Sequence, residues 1–219
     1  MCGRFAINLN VDEVIQAFHV ENVINEFKPN YNVAPTQNVP VILQADDKIT
    51  LDSFRWGLIP HWAKDKNIGY KLINARAETL AEKPSFKKAF AERRCIIPAS
   101  GFYEWKKTGE KKQPYFIHPK RGFFAFAGLW EQWQDIKSCT IVTTSANPDV
   151  AKLHDRMPVI LEEYNDWLNP EVKDTYVLSK LLKPYPTTEM YPVSDIVNSV
   201  KNNKPECLLK QSQKTLPSS

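Results

Sequence analysis

The sequence predicts an α+β fold with a largely antiparallel, barrel-like mixed β core flanked by short helices. Segments with the two-residue period of strands and segments with the 3.6-residue period of helices both occur, without the regular βαβ alternation of a parallel sheet. At 219 residues and 42% hydrophobic content, the chain can build one sizeable core. We therefore expect a single domain over residues 1–209, followed by a polar, disordered tail over residues 210–219.

The first part of the chain predicts a helix and then a β-hairpin. Apolar residues recur at helical spacing over Val11–Phe18. Two strand-like runs, Val39–Gln44 and Ile49–Trp56, flank residues 45–48, which suit a hairpin tip.

The rest of the chain predicts further short elements. Pro84 interrupts the pattern, and Phe86 and Phe90 at helical spacing then predict a helix over Ser85–Arg94. Strands are predicted at Cys95–Pro98, Gly101–Lys106, Pro114–His118, Phe123–Trp130 and Thr140–Thr144, and helices at Pro148–Leu153, Glu162–Leu168 and Glu171–Leu182. The charged residues 106–112 are expected to form only a solvated turn.

Composition argues against nucleotide cofactors and metals. The 7 glycines form no Gly-rich loop that could hold phosphates. The four cysteines, Cys2, Cys95, Cys139 and Cys207, are too far apart for a zinc or redox motif. We therefore expect no cofactor and no metal. The net charge of +4, from 29 Lys and Arg against 25 Asp and Glu, permits a polyanionic partner without requiring one.

No segment of the sequence predicts membrane insertion. Asp12 and Glu13 interrupt any apolar stretch near the N-terminus, and the longest apolar run, Phe123–Trp130, is too short to span a bilayer. We expect a cytoplasmic protein with reduced thiols and no membrane contact.

Cys2 becomes a 1,2-aminothiol if the initiator Met1 is removed. An α-amine titrates at about 7.7–8.0 and a thiol at about 8.5, so both groups are partly nucleophilic near neutrality. Such a pair can condense with an aldehyde to an imine, after which the thiol closes a thiazolidine ring on the same carbon. The alternative is that a small, often buried residue follows Met1 by accident.

The segment Asn74–Thr79 offers polar groups for a nucleic-acid backbone. If it is extended, Asn74, Arg76 and Glu78 project to one face. The amide can then donate to a sugar oxygen and the guanidinium can bind a phosphate. A surface strand with an Arg76–Glu78 pair is the alternative.

Glu104 is a lone carboxylate among the aromatic residues of Gly101–Trp105. Burial there would disfavour the charged form and raise its pKa, so Glu104 could donate a proton to a departing hydroxyl near pH 7. In the alternative, strand alternation points Glu104 to solvent while its neighbours pack.

His154 lies where a predicted helix runs into a strand that stops at Pro158. Loops at such junctions often hold catalytic groups, and histidine transfers protons near neutral pH. Asp155 or Arg156 could tune it. A hydrogen-bonded structural histidine is the alternative.

Aromatic and basic residues interleave in Arg55–Lys64. Proteins that bind single-stranded nucleic acid use aromatic side chains as stacking platforms beside cations. Trp56 suits core packing equally well, whereas Trp62 follows Pro60 in a predicted loop and is the better candidate for stacking on a base.

Five sequence blocks stand out together: Met1–Phe5, Trp56–Pro60, Asn74–Thr79, Arg94–Pro98 with Gly101–Trp105, and His154–Pro158. Together they closely resemble one known family, the SOS response-associated peptidase (SRAP) family of abasic-site processing proteins. The resemblance runs in the family's order from Cys2 to about Val200.

This resemblance implies a protein of the DNA damage response that captures abasic sites in single-stranded DNA. The implied product is a covalent thiazolidine between Cys2 and the ring-opened deoxyribose. The family's catalytic residues fall on Cys2, Asn74, Glu104 and His154, and its DNA contacts fall on Arg4, Trp62, Arg76 and Arg156. The resemblance also implies autoproteolytic removal of Met1, a lyase capacity through the imine, and a monomer that joins the nucleoid when it binds DNA.

Two other functions remain open from the residues. In the first, Cys2 is an N-terminal nucleophile that hydrolyses peptides or amides, with its own amine as base. In the second, the arginines and aromatic residues bind single-stranded DNA without any covalent step.

Overall fold

Strands make up most of the regular structure. The computed structural model describes residues 2–211, except for the side chain of Thr108. Within this range the strands are β1 (Phe5–Ile7), β2 (Asn22–Val23), β3 (Asn30–Val33), β4 (Asn38–Ala45), β5 (Lys48–Trp56), β6 (Asn74–Arg76), β7 (Arg94–Ala99), β8 (Gly101–Thr108), β9 (Lys111–His118), β10 (Phe124–Trp133), β11 (Ile136–Ser145), β12 (Arg156–Pro158) and β13 (Glu189–Pro192). The α-helices are α1 (Val11–Phe18), α2 (Lys87–Glu92), α3 (Asn165–Leu168) and α4 (Thr175–Ser179). Short 3-10 turns lie at Lys66–Lys71, Ala77–Thr79, Val150–Lys152, Asp195–Asn198 and Pro205–Leu208.

Five strands close into a mixed barrel. The ring runs from β4 through β5, β11, β10 and β7 and back to β4. Its pairings are antiparallel except that of β11 with β5, which is parallel and places Cys139 beside Trp56. Strands β6 and β12 extend this sheet from β11, and β2 extends it from β5. The predicted α+β class with a largely antiparallel, barrel-like core is confirmed.

A second sheet carries the N-terminal strand and packs on the barrel. Its order is β13, β9, β8, β1, β3, and all its pairings are antiparallel. Phe5 of β1 meets Trp56 of β5 edge-on with ring centroids 4.9 Å apart, and Phe102 of β8 meets Phe126 of β10 at 6.1 Å. Such aromatic pairs add about 0.5–1.5 kcal/mol beyond the burial of area. These contacts fix the start of the chain against the barrel.

The predicted hairpin is confirmed, and its turn has a clear physical basis. Ala45 pairs with Lys48, so only Asp46 and Asp47 form the turn. Both have positive φ, at 49° and 59°. A two-residue turn of this kind matches the twist of the strands, and aspartate tolerates the left-handed region better than most residues.

The helix α1 is confirmed and begins with a capping box. The side chain of Asn10 accepts a hydrogen bond from the backbone N–H of Glu13, whose carboxylate accepts from the backbone N–H of Asn10. Val14 and Phe18 are its buried residues. The predicted helix over Ser85–Arg94 is present as the shorter α2.

Three predicted helices are mostly wrong. Pro148–Leu153 forms only the 3-10 turn at residues 150–152, Glu162–Leu168 only α3, and Glu171–Leu182 only α4. Side chains compete with the backbone here, because Asn169 accepts the N–H of Glu171 at 2.9 Å in a local turn. The apolar spacing was helical, but each helix spans only one or two turns, and the last one begins at a side-chain cap from Asp174.

The C-terminal part of the described chain stays on the second sheet. Lys210 forms a β-bridge with Val193, and the N–H of Gln211 donates to the carbonyl of Pro192 at 2.8 Å. The first two residues of the predicted tail are therefore bonded to the fold, and residues 212–219 lie outside the described residues. None of the helices within residues 2–211 is long and apolar enough to cross a membrane.

Candidate active site

The pairing of β1 with β8 brings the start of the chain close to Glu104, whose charge acts on the Cys2 thiol. Phe5 lies opposite Phe102, and the N–H of Tyr103 donates to the carbonyl of Arg4 at 2.9 Å. Continuing this antiparallel register brings Gly3 opposite Glu104. Cys2 itself is fully buried, and its thiol donates weakly to the carbonyl of Arg4 at 3.7 Å.

Asn74 reaches Cys2 from the barrel. It begins β6, which runs parallel to β11 with Asn74 beside Ile141. Its side-chain amide donates to the backbone carbonyl of Cys2 at 2.8 Å. Its side-chain oxygen is buried and has no hydrogen-bond partner within residues 2–211. Asn74 thus orients the Cys2 carbonyl and retains a buried acceptor that is not used within the described residues.

Glu104 is a buried carboxyl group with a raised pKa. The residue is 6% exposed. Burial raises the pKa of Glu104 to about 7, and the negative charge of Asp155 contributes in the same direction. The group therefore holds its proton in a substantial fraction of molecules at neutral pH, as a general acid requires. The solvent-facing alternative for Glu104 is excluded by its burial.

Burial also controls the Cys2 thiol. It raises the pKa of Cys2 well above the ordinary value, and the charge of Glu104 raises it further. In the chain that still carries Met1, the Cys2 sulfur is therefore a neutral thiol. The two groups are electrostatically linked, since protonation of Glu104 removes one of the causes that keep the thiol protonated.

His154 follows the 3-10 turn at Val150–Lys152, and its ring nitrogen Nδ1 lies close to both a hydrogen-bond donor and a carboxylate. Its Nδ1 lies 3.0 Å from the backbone N–H of Arg156, which donates to it, and 2.8 Å from a carboxylate oxygen of Asp155. A neutral ring accepts the Arg156 bond, whereas a protonated ring pairs with Asp155. Burial lowers the pKa of His154, although Asp155 opposes this shift, so the neutral form prevails at pH 7.

Glu104 and His154 line one open cleft of about 750 Å³. The β8 strand supplies one wall, and the turn before His154 supplies another. The remaining lining residues are Trp105, Lys106, Lys107, Lys112, Lys152, Leu153 and Asn198. The cleft is large enough for a nucleotide-sized ligand, whereas Cys2 is fully buried and is not among the residues that line it.

One protein family matches most of this chain in sequence. The sequence model of SOS response associated peptidase (SRAP) matches residues 1–200. The chain belongs to the SRAP family.

Relatives and solved structures agree with this assignment. The SRAP chain is 49% identical to the abasic site processing protein YoqW of Bacillus subtilis, over 95% of this chain and 99% of the relative. It is 34% identical to the abasic site processing protein HMCES of Gallus gallus, over 95% of this chain and 77% of the relative. A crystal structure of a Bacteroides thetaiotaomicron protein superimposes with a TM-score of 0.86 at 29% identity, covering 96% of this chain and all of that one.

Two of the four predicted DNA-contacting residues of the SRAP chain, Arg4 and Arg156, form hydrogen bonds to other residues of the fold. One terminal nitrogen of Arg4 donates to the side chain of Asn32 at 2.6 Å and to the carbonyl of Val197 at 2.8 Å. Arg156 forms a two-point salt bridge with Glu78, at 2.5 and 2.9 Å, and also donates to the carbonyl of Thr143 at 2.6 Å. Their roles at DNA stay predictions.

The extended form predicted for residues 74–79 is only half correct. Asn74–Arg76 is a strand, but Ala77–Thr79 turns in a 3-10 helix. Glu78 therefore leaves the face of Asn74 and pairs with Arg156 instead of Arg76.

The other two predicted DNA contacts are exposed. Arg76 is exposed at the end of β6. Trp62 is 50% exposed and lines a separate concavity with Lys64 and Lys71. A half-exposed indole beside two cations has the composition of a base-stacking platform. Trp56, by contrast, is fully buried and its indole N–H donates to the carbonyl of Ile73.

The sequence patterns missed two groups near the site. Asn32, 1% exposed, accepts from Arg4 and donates to three carbonyls of the segment 197–202. Trp105 lies under Arg4 at 6.0 Å and donates to the side chain of Asn198 at 2.8 Å. Asn32 joins chain segments that are far apart, so no local pattern could reveal it. Lys106 also lines the cleft and was expected only in a turn, although strand alternation places it on the same strand face as Glu104.

Proposed function

We propose that this protein captures abasic sites in single-stranded DNA through a thiazolidine between Cys2 and the ring-opened deoxyribose. The observation that carries the proposal is that Asn74 hydrogen-bonds to Cys2, while Glu104, whose charge acts on the Cys2 thiol, shares a cleft with His154. Relatives named abasic site processing proteins support abasic DNA as the substrate class. The protein would act as a cytoplasmic monomer that associates with the nucleoid through DNA.

Removal of Met1 is the first step. Hydrolysis of the bond between Met1 and Cys2 consumes one water and releases the Cys2 α-amine. The protein's own groups would perform this peptidase step. In the unprocessed chain, burial of Cys2 and its high thiol pKa support a thiol that is protected until the chain is processed.

The second step is imine formation. The neutral α-amine attacks C1′ of the open-chain sugar and gives a carbinolamine. Glu104 donates its proton to the carbinolamine hydroxyl, which leaves as water, and the nitrogen lone pair forms the iminium. The pKa of about 7 supports Glu104 in this role, because the proton is both present and transferable near neutrality.

The third step closes the ring. The Cys2 sulfur bonds to the iminium carbon, and its proton passes to the Glu104 carboxylate, which restores the acid. The product has lost one water relative to the processed protein and the aldehyde. Holding the amine, thiol and aldehyde together makes closure effectively unimolecular, with effective molarities of about 10⁵ M or more available to aligned groups.

Asn74 and His154 assist other steps of this reaction. Asn74 fixes the Cys2 backbone through its 2.8 Å hydrogen bond, and its buried oxygen can accept from the amine or the sugar. Ring opening moves a proton from the C1′ hydroxyl to the ring oxygen, and a neutral histidine can accept it and return it. Elimination from the iminium instead of ring closure would give the lyase activity.

The proposal is tested with an oligonucleotide that contains one abasic site. The wild-type protein should give an adduct that survives heat and denaturant. Cys2→Ala should give none, and Cys2→Ser should give at most a transient imine without the durable ring. A salt-sensitive gel shift with no adduct would instead favour a non-covalent binder, and cleavage of supplied peptides that Cys2→Ala abolishes would favour an amidohydrolase.

A further inference from the structure

Four lysines surround the mouth of the cleft that holds Glu104 and His154. Lys106, Lys107, Lys112 and Lys152 all line it. We call these four residues the lysine rim. All four are exposed. The expectation that residues 106–112 form only a solvated turn is wrong, because β8 and β9 extend through them and leave Gly109 and Glu110 as the turn.

The fold gains little from the charge of the rim. Lys107 lies directly opposite Lys112 in the β8–β9 register. Like charges at directly opposed positions destabilise a sheet. Within residues 2–211, the three hairpin lysines form no ion pair, and Lys152 meets only the carboxylate of Asp149, at 3.2 Å. The positive charge of the rim is therefore available to an external anion.

The rim begins next to the reacting groups. Lys106 is two positions beyond Glu104 on β8, which at a rise of about 3.3 Å per residue separates them by about 7 Å along the strand. Lys152 precedes His154 by two positions. A ligand whose reactive carbon reaches Glu104 and His154 must place its neighbouring groups against the rim.

We propose that the lysine rim binds the phosphodiester backbone of the DNA strand immediately beside the abasic nucleotide. This inference rests on the proposed function. A nucleic-acid strand suits the rim better than an acidic polypeptide, because a partly exposed aromatic ring, Trp105, lines the same cleft and offers a stacking face between the cations. The rim then supplies affinity for any sequence and positions the sugar.

The test uses Lys107→Gln with Lys112→Gln as a double variant. The matched control is Lys87→Gln with Lys88→Gln, which removes the same charge from exposed positions of α2. Binding is measured over a range of salt concentrations with a single-stranded oligonucleotide containing a tetrahydrofuran abasic analogue, which has no aldehyde and cannot react. Thermal unfolding verifies that both variants fold.

The rim variant should lose both affinity and salt dependence. The slope of log K against log salt should become shallower by about 1.4, because each of the two lost phosphate contacts on a single strand accounts for about 0.7. If the variant and the wild type bind equally at 1 M salt, this change in slope corresponds to a loss of about 25-fold in affinity at 0.1 M salt. With a true abasic oligonucleotide at limiting concentration, crosslinking should slow by a similar factor. The control should keep the wild-type slope.

The outcomes separate this inference from the proposed function. If the wild type forms no adduct but the rim variant still loses salt dependence, the covalent chemistry fails and the rim stands. If the wild type forms the adduct while the rim variant keeps its slope, or the control loses as much, the rim is overturned. Displacement of the oligonucleotide by polyglutamate at equal charge concentration would also overturn it, in favour of an acidic polypeptide.

Discussion

The side-chain amide of Asn74 donates a 2.8 Å hydrogen bond to the backbone carbonyl of Cys2, 72 positions earlier in the chain. This bond joins the edge of the barrel to the first described residue. Because Asn74 is held on β6 by its pairing with β11, the start of the chain inherits the rigidity of the barrel. A chain start that would otherwise fray is fixed in a buried position.

Glu104→Gln should slow adduct formation by about 100-fold or more, since general acid catalysis contributes about 10²–10⁴-fold. In the wild type, Glu104 holds its proton below about pH 7 and loses it above. The adduct rate should therefore have a falling limb as pH rises through about 7, and this limb should vanish in the variant. Rates measured on an abasic oligonucleotide from pH 5 to pH 9 check this, with the exposed Glu171→Gln as control. An unchanged profile in Glu104→Gln would remove the acid role.

Trp62→Ala should weaken binding of single-stranded DNA by about 5- to 150-fold, which corresponds to about 1–3 kcal/mol for one stacked base. The indole is 50% exposed, so its removal should leave the unfolding midpoint nearly unchanged. Titration with the unreactive abasic analogue measures the affinity. Tyr176→Ala, which removes another exposed aromatic ring, serves as control, and equal losses in both variants would contradict a specific stacking role.

Glu78→Gln should lower stability in a pH-dependent way. The hydrogen bonds from Arg156 hold the pKa of Glu78 below its ordinary value. A depressed pKa contributes stability that is fully present above the unfolded value of about 4.3 and is lost as pH falls through the lower pKa of the folded state. Urea unfolding should therefore separate the wild type from Glu78→Gln at pH 6, and the difference should narrow steadily as the pH is lowered below the unfolded value. A constant difference at every pH would show that the ion pair is not its source.

Asn32→Ala should destabilise the fold by about 3 kcal/mol, because it leaves several buried hydrogen-bonding groups without a partner, at about 1–3 kcal/mol for each group that stays unsatisfied. The affected partners are Arg4 and the carbonyls of Val197, Ser199 and Asn202. Chemical denaturation measures the loss. Asn67→Ala removes an exposed asparagine whose side chain contacts only Asp65, and it should cost much less. A small effect of Asn32→Ala would mean that the segment 197–202 is held by other contacts.

The sequence predicted strands well where side chains alternate and turn residues are distinctive. The hairpin of β4 and β5 was predictable because Asp46 and Asp47 suit its turn. The short strand β2 was not predicted, because it contains only two residues and forms by pairing with β5. The helix over Glu171–Leu182 was overpredicted because a side-chain turn at Asn169 and a cap at Asp174 delay its start.

At the candidate site, the sequence predicted the reactive residue types but not their connections. The sequence left Glu104 either buried among its aromatic neighbours or facing solvent, and the structure shows that it is buried. Nothing local indicated that Arg156 would pair with Glu78, since that contact needs both the 3-10 turn at Ala77–Thr79 and the pairing of β11 with β12. The single domain over residues 1–209 and the roles of the site residues stay predictions.

Intact-mass analysis of the adduct tests the central claim most directly. The account predicts a protein that lacks Met1, joined to the abasic oligonucleotide with the loss of one water, and a modification that maps to the N-terminal Cys2 peptide after proteolysis. An active adduct that retains Met1, or a lesion mapped to any other side chain, would contradict it.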